Sequence, residues 1–89
     1  MERESELQRL AHQRIESGRL PKVAPPHVWG GKGDGARCAL CDKTIDAEDT
    51  ELEIVQRVDG RARSLHFHVL CYSEWQLACK EYARPKNEP

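Results

Sequence analysis

Two closely spaced pairs of cysteine and histidine residues are the part of this sequence best suited to chemistry. Cys38 and Cys41 form a C-x-x-C pair, and His68 and Cys71 form an H-x-x-C pair. Thiolate and imidazole groups are preferred zinc ligands, and a two-residue spacing lets one turn of chain aim both side chains at one point. A fold that brings the pairs together supplies the four ligands of a tetrahedral site. We therefore predict one zinc ion, bound by Cys38, Cys41, His68 and Cys71.

The fourth ligand of this site has a rival in the sequence. His66 lies two residues before His68, but only His68 has the H-x-x-C spacing with Cys71, so we favour His68 and keep His66 as the alternative. The remaining cysteine, Cys79, lies eight residues after Cys71. We expect it to be a half-buried thiol without a metal.

The size and composition of the chain also favour a metal site. It has 89 residues, of which 38% are hydrophobic and 33% charged, with a net charge of −1. So short a chain buries a small fraction of its surface and often needs a disulfide or a metal. Its first residues lack the apolar stretch of a secretory signal, and no apolar run approaches the roughly 20 residues of a membrane span. We expect a cytoplasmic protein without membrane contact, in which thiols stay reduced.

A β-hairpin over residues 50–68 is predicted to join the two ligand pairs. Asp59-Gly60 is a typical two-residue hairpin turn. With these two residues as the turn, the residue numbers of each pair of opposing residues add up to 119. Glu53 then lies opposite His66 on one face, while the other face is apolar. The apolar pairs are Leu52 with Phe67 and Ile54 with Leu65.

Two helices are predicted to flank the hairpin. The second runs from about His68 to near Ala83 and has Cys71 in its first turn, where the helix dipole favours a thiolate. The first spans residues 2–17, is amphipathic, and is ended by Gly18. Its narrow apolar stripe must dock either on the rest of the chain or on a partner, and the sequence leaves both open.

The chain is thus predicted to be a small α+β protein with four segments. These are an N-terminal helix (1–18), an irregular Pro/Gly-rich connector (19–37), a zinc-binding domain (38–84) and a disordered tail (85–89). We expect Trp29 to anchor the connector to the core. The core itself is predicted to contain Leu52, Ile54, Leu65, Phe67, Trp75 and Tyr82.

The Cys38–Cys41 pair is predicted to lie on a knuckle, a tight turn in which Asp42 can adopt the left-handed conformation and backbone N–H groups point at the thiolates. The order of knuckle, hairpin and helix resembles a treble-clef zinc finger. The spacing Cys38-x2-Cys41, the Asp59-Gly60 turn and the segment His66 to Cys71 resemble the first zinc module of LIM domains and the zinc finger of poly(ADP-ribose) polymerases. With Val-Trp-Gly-Gly before the C-x-x-C, the chain is also similar to short, uncharacterised bacterial zinc-binding proteins. The resemblance implies a zinc-stabilised treble clef. A LIM domain needs a second ligand set after Cys71, which is absent here.

Catalysis is not expected from this pattern. A catalytic zinc keeps one coordination position open, whereas four good ligands close it. Zinc deaminases place a glutamate two residues after the ligating histidine, where this chain has Leu70. Treble-clef nucleases carry a catalytic histidine beside the metal. His66 is the one candidate for such a histidine, so a metal-dependent nuclease is a minor alternative. No small-molecule substrate is indicated.

With catalysis not expected, the remaining functions are the binding of nucleic acid and the binding of another protein. The polymerase-type finger implies DNA-end binding, and Arg57, Arg61 and Arg63 cluster near the hairpin turn as possible nucleic-acid contacts. However, residues 38–89 carry ten acidic and seven basic side chains, whereas nucleic-acid binding normally needs a basic surface. We therefore expect a structural zinc module that contacts an unidentified protein, with nucleic-acid binding as the alternative.

Overall fold

The fold combines two helices with one antiparallel sheet. The computed structural model describes residues 2–83, without the side chains of residues 2–5 and 58. The elements in chain order are α1 (Glu2–Glu16), β1 (Trp29–Lys32), β2 (Thr50–Val58), β3 (Arg61–His68) and α2 (Val69–Ala83). The sheet has the order β1-β2-β3 and is antiparallel throughout. The prediction of a small α+β fold is confirmed. Within residues 2–83, no helix is long and apolar enough to cross a membrane.

The β2–β3 hairpin has the predicted register. Asp59 and Gly60 have φ values of 53° and 79°, as a two-residue turn with two left-handed residues requires. Glu53 pairs with His66, and the two apolar pairs also form as predicted: Leu52 with Phe67 and Ile54 with Leu65. Ile54 and Phe67 are fully buried. One face of the hairpin therefore packs on the core, while the other carries polar side chains.

Three aromatic rings form the centre of the core, where α2 crosses the hairpin. Phe67 stacks on Trp75 with ring centroids 5.1 Å apart, and Tyr72 packs edge-on against both rings. Such pairs contribute about 0.5–1.5 kcal/mol beyond the burial of their area. The prediction that Tyr82 is a core residue is wrong, because its side chain is at the surface and its hydroxyl donates a hydrogen bond to Glu16 Oε2 over 2.9 Å.

Helix α1 docks on the chain's own helix α2. Ala11 and Ile15 on its apolar face are buried. At the edge of the contact, His12 Nε2 lies 2.7 Å from Glu81 Oε1. Gly18 follows the helix with φ 84°, the left-handed conformation predicted for its C-terminal cap. In the isolated chain, α1 therefore packs on its own chain rather than on a partner.

The connector differs from its prediction in two ways. Residues Trp29–Lys32 are not irregular but form β1, an edge strand paired with β2. Trp29 is 55% exposed and does not anchor the segment. The anchors are Leu20, which is 2% exposed, and the carbonyl of Pro21, which accepts a 3.0 Å hydrogen bond from Trp75 Nε1. The predicted tail, 85–89, lies outside the described residues.

Gly33 fixes the position of the connector against the loop that follows the knuckle. Its N–H donates a 2.9 Å hydrogen bond to the carbonyl of Asp49. A Cβ atom at this position would lie 1.9 Å from the carbonyl oxygen of Asp46, far inside van der Waals contact. Only glycine therefore allows the two backbone segments to approach this closely.

We expect Gly33→Ala to lower the free energy of unfolding by about 1–3 kcal/mol, the usual range for overpacking, because a backbone atom must move. Gly31→Ala is the matched control, since a Cβ at Gly31 meets nothing within 4 Å. Urea unfolding of both variants measures the difference. Equal stability of the two variants would contradict the close approach at Gly33.

Candidate metal centre

Cys38 and Cys41 lie on a tight turn that points backbone N–H groups at their sulfur atoms. The turn is closed by hydrogen bonds from Cys38 N to Lys43 O (2.9 Å) and from Asp42 N to Cys38 O (3.0 Å). Asp42 has φ 68°, the left-handed conformation that aspartate tolerates better than most residues. The N–H groups of Leu40 and Cys41 donate to the Cys38 sulfur. This is the predicted knuckle.

The second pair lies where β3 meets α2. His68 is the last residue of β3, and Cys71 is in the first turn of α2. A 2.7 Å hydrogen bond from Ala39 N to His66 O ties the knuckle directly to β3. The hairpin therefore brings His68 and Cys71 back to the turn that carries Cys38 and Cys41.

The predicted ligands meet at this point. One donor atom each from Cys38, Cys41, His68 and Cys71 lies within 4.8 Å of the others. His68 Nδ1 is 3.5 Å from Cys41 Sγ and 3.9 Å from Cys71 Sγ. Bond lengths of about 2.3 Å for Zn–S and about 2.05 Å for Zn–N give a nitrogen–sulfur edge of about 3.6 Å in a tetrahedron. The donors are thus arranged at distances that suit a zinc-sized ion.

The imidazole of His68 is oriented for metal binding. Its Nε2 lies 3.3 Å from the carbonyl oxygen of Thr44. Because a carbonyl only accepts, Nε2 carries the proton, and the lone pair of Nδ1 is directed toward the sulfur atoms. A metal-binding histidine usually has such a partner on its other nitrogen. Thr44 is therefore part of the candidate site, which spacing rules did not reveal because the contact uses its backbone rather than its side chain.

The three thiols of this group do not ionise independently. The Cys71 thiol donates to the Cys38 sulfur, and with the backbone N–H groups it lowers the pKa of Cys38 to about 4. The same hydrogen bond raises the pKa of Cys71, and burial raises that of Cys41. One sulfur thus holds negative charge readily, whereas three thiolates this close repel each other. A divalent cation offsets that repulsion, so the donor set fits zinc.

Arg14 connects the knuckle to α1. Its Nε donates to the carbonyl of Leu40 over 3.1 Å, and its Nη2 is 3.1 Å from Asp42 Oδ2. Arg19 Nη2 lies 3.2 Å from the other oxygen of the same carboxylate. Sequence reasoning missed this contact. Its only signal in the sequence is an arginine within the predicted amphipathic helix.

The rival histidine and the fourth cysteine lie apart from the four donors. His66 projects from the polar face of the hairpin, where its Nδ1 contacts Glu51 Oε2. Its backbone partner is Glu53, as predicted, but the residue its ring touches is Glu51. Cys79 is 6% exposed, more buried than expected, and burial raises its pKa to about 11. All four cysteines are free thiols.

The three arginines near the hairpin turn do not form one surface. In the register, Arg57 pairs with Ala62, whereas Arg63 pairs with Gln56. Because side chains alternate along a strand, Arg57 projects from the face opposite to that of Arg61 and Arg63. Arg63 is also engaged, since it donates to Gln56 Oε1 and to the carbonyl of Arg19.

Comparison with known proteins adds no family to this description. No protein-family model, curated protein or solved structure matches the chain. What the site does must therefore be argued from its residues.

We expect Cys71→Ser to reduce bound zinc from one ion per chain to well below one, because a thiolate ligand is lost. Cys79→Ser is the control: it should leave the zinc content near one, since Cys79 lies outside the donor group. Metal analysis of the purified proteins measures both. Zinc retained in the first variant and lost in the second would overturn the ligand assignment.

Proposed function

We propose that this chain is a structural zinc-binding module of the treble-clef type, without catalytic activity, that contacts another protein. The observation that carries the proposal is the convergence of Cys38, Cys41, His68 and Cys71, together with the hydrogen bond that orients His68. In this role the ion supplies a cross-link between the knuckle and the β3–α2 junction.

The treble-clef assignment is supported by the order of elements around the donors. The first two are on the knuckle, a hairpin follows, and the last two lie on either side of its junction with α2, His68 at the end of β3 and Cys71 in the first turn of the helix. The short bridge between Arg37 and Thr44 closes the knuckle as a second, smaller hairpin. These features agree with the resemblance noted from the sequence.

A structural rather than a catalytic ion is supported by the closure of the site. Cys38 is fully buried and Cys71 is 4% exposed. Cys41 and His68 are partly buried, and four protein donors leave no coordination position for a substrate. The imidazole of His66, the candidate base of a nuclease, is engaged with Glu51 on the polar face of the hairpin.

A protein partner is supported by apolar side chains on the outer face of α2. Val69, Leu70 and Leu77 are 45%, 45% and 48% exposed, and Leu70 and Leu77 lie two turns apart on one stripe. The aliphatic surface is flanked by Gln76 and Lys80, which are also exposed. Apolar groups with a polar rim are typical of protein contacts.

Nucleic-acid binding is the second candidate, and one cavity favours it. Arg19, Arg37 and Arg63 line a cavity of about 230 Å³ beside the knuckle. The carboxylate of Asp42 lines it too and neutralises part of this charge. Phosphate contacts would make any such binding strongly dependent on salt.

We expect removal of zinc to unfold the protein. Binding energy for structural zinc is about 10–16 kcal/mol in small zinc-finger peptides, comparable with the total stability of a domain. Circular dichroism during titration with a strong chelator should show loss of the thermal transition, and added zinc should restore it. A cooperative transition that persists after zinc removal, verified by metal analysis, would contradict a structural role.

We expect a stoichiometric protein to be captured from the native host by the wild-type chain, and to be lost when L70Q and L77Q are combined. Gln76→Ala is the control, since it alters the same face without removing an apolar side chain. Capture is repeated at low and high salt, with folding checked by circular dichroism. Salt-sensitive nucleic acid in place of protein would favour the second candidate instead.

A further inference from the structure

A second group of potential metal ligands lies on the polar face of the sheet. Glu51 and Glu53 on β2 and His66 on β3 each place one donor atom within 4.8 Å of the others. They line a cavity of about 260 Å³ together with residues of β1 and the loop after it. None of the three belongs to the Cys38 group, so this site and its chemistry are separate from the zinc proposal.

The buried carboxylate of Glu51 points to a ligand. Glu51 is 8% exposed, and its Oε2 contacts His66 Nδ1. Its other oxygen, Oε1, is buried and has no hydrogen-bond partner among the described residues. A carboxylate oxygen is rarely left buried and unpaired, because its lost hydration is then not compensated. A cation in the cavity would compensate this oxygen.

The edge strand leaves room for such a cation. In the β1–β2 pairing, Gly31 lies directly opposite Glu51 and Trp29 opposite Glu53. Gly31 has no side chain, and a Cβ placed there would meet nothing within 4 Å. The space beside Glu51 is therefore open. Lys32 also lines the cavity, but it forms no ion pair with either glutamate among the pairs found in residues 2–83.

We propose that Glu51, Glu53 and His66 bind a second divalent cation, of the transition-metal class that includes Mn²⁺ and Zn²⁺. Carboxylates suit Mn²⁺ and imidazole suits Zn²⁺, whereas Ca²⁺ and Mg²⁺ are bound by oxygen ligands. Three protein ligands leave further coordination positions open to water. The oxygen and nitrogen ligands of this set are harder than the thiolates of the Cys38 group, so Mn²⁺ is better suited to this site than to that one.

Mn²⁺ titration of the zinc-loaded full-length chain tests the proposal. Free Mn²⁺ gives an electron paramagnetic resonance signal that is lost on binding, so the bound fraction is counted directly. We expect one Mn²⁺ per chain in addition to one zinc. Glu53→Gln should weaken Mn²⁺ binding at least tenfold. Loss of a residue that only hydrogen-bonds to a metal ligand already costs about tenfold or more in metal affinity, and Glu53 is proposed as a ligand itself.

Glu48→Gln is the matched control. It removes one negative charge from an exposed position of the neighbouring loop, outside the three ligands, and should bind Mn²⁺ like the wild type. Zinc content near one and unchanged circular dichroism in both variants show that the first site and the fold are intact. In nuclear magnetic resonance spectra, Mn²⁺ should broaden the ring signals of His66 before those of His12 and His27.

Three outcomes would overturn the proposal. The wild-type chain could leave the Mn²⁺ signal unchanged up to millimolar protein and metal. Glu53→Gln could titrate like the wild type, or both variants could lose the same affinity, which would indicate diffuse charge rather than a site. None of these outcomes bears on the Cys38 group, because zinc content is measured separately.

Discussion

The register of the β2–β3 hairpin is the constraint on which the rest of the structure depends. The Asp59-Gly60 turn pairs the strands so that Phe67 projects into the core while His66 and His68 project from the other face. A slip of one residue would exchange the faces, burying imidazoles and exposing the ring that stacks on Trp75. A two-residue turn with two left-handed residues therefore determines both the packing of the core and the position of the donor nitrogen of His68.

The core and the four candidate metal ligands lie side by side in this small chain. The aromatic cluster of Phe67, Tyr72 and Trp75 packs one side of the β3–α2 junction, and the four donors lie at its end. The knuckle adds Leu40 and Ile45, both fully buried, to the apolar interior. The donors thus belong to the same packed unit as the core, which agrees with zinc acting as part of the fold.

The sequence predicted what is set by short-range rules. The hairpin register, the ends of both helices and the left-handed residues at positions 18, 42 and 60 follow from local turn and cap chemistry. The meeting of the two ligand pairs was also predicted, but most other contacts between distant segments were not. Trp29 is exposed because a strand rather than an anchor forms there, and Tyr82 is held at the surface by Glu16. The contacts of Arg14 with Leu40 and of His68 with Thr44 use backbone carbonyls, which residue types do not reveal.

The link from Arg14 to the knuckle has a consequence for the N-terminal helix. Both of its acceptors, the Leu40 carbonyl and the Asp42 carboxylate, flank Cys41 and belong to the turn that carries Cys38 and Cys41. A helix of 15 residues has little stability by itself in water. Opening of the knuckle would therefore remove this polar contact of α1 and leave the helix with its contacts to α2 and the apolar contact of Ala11 and Ile15.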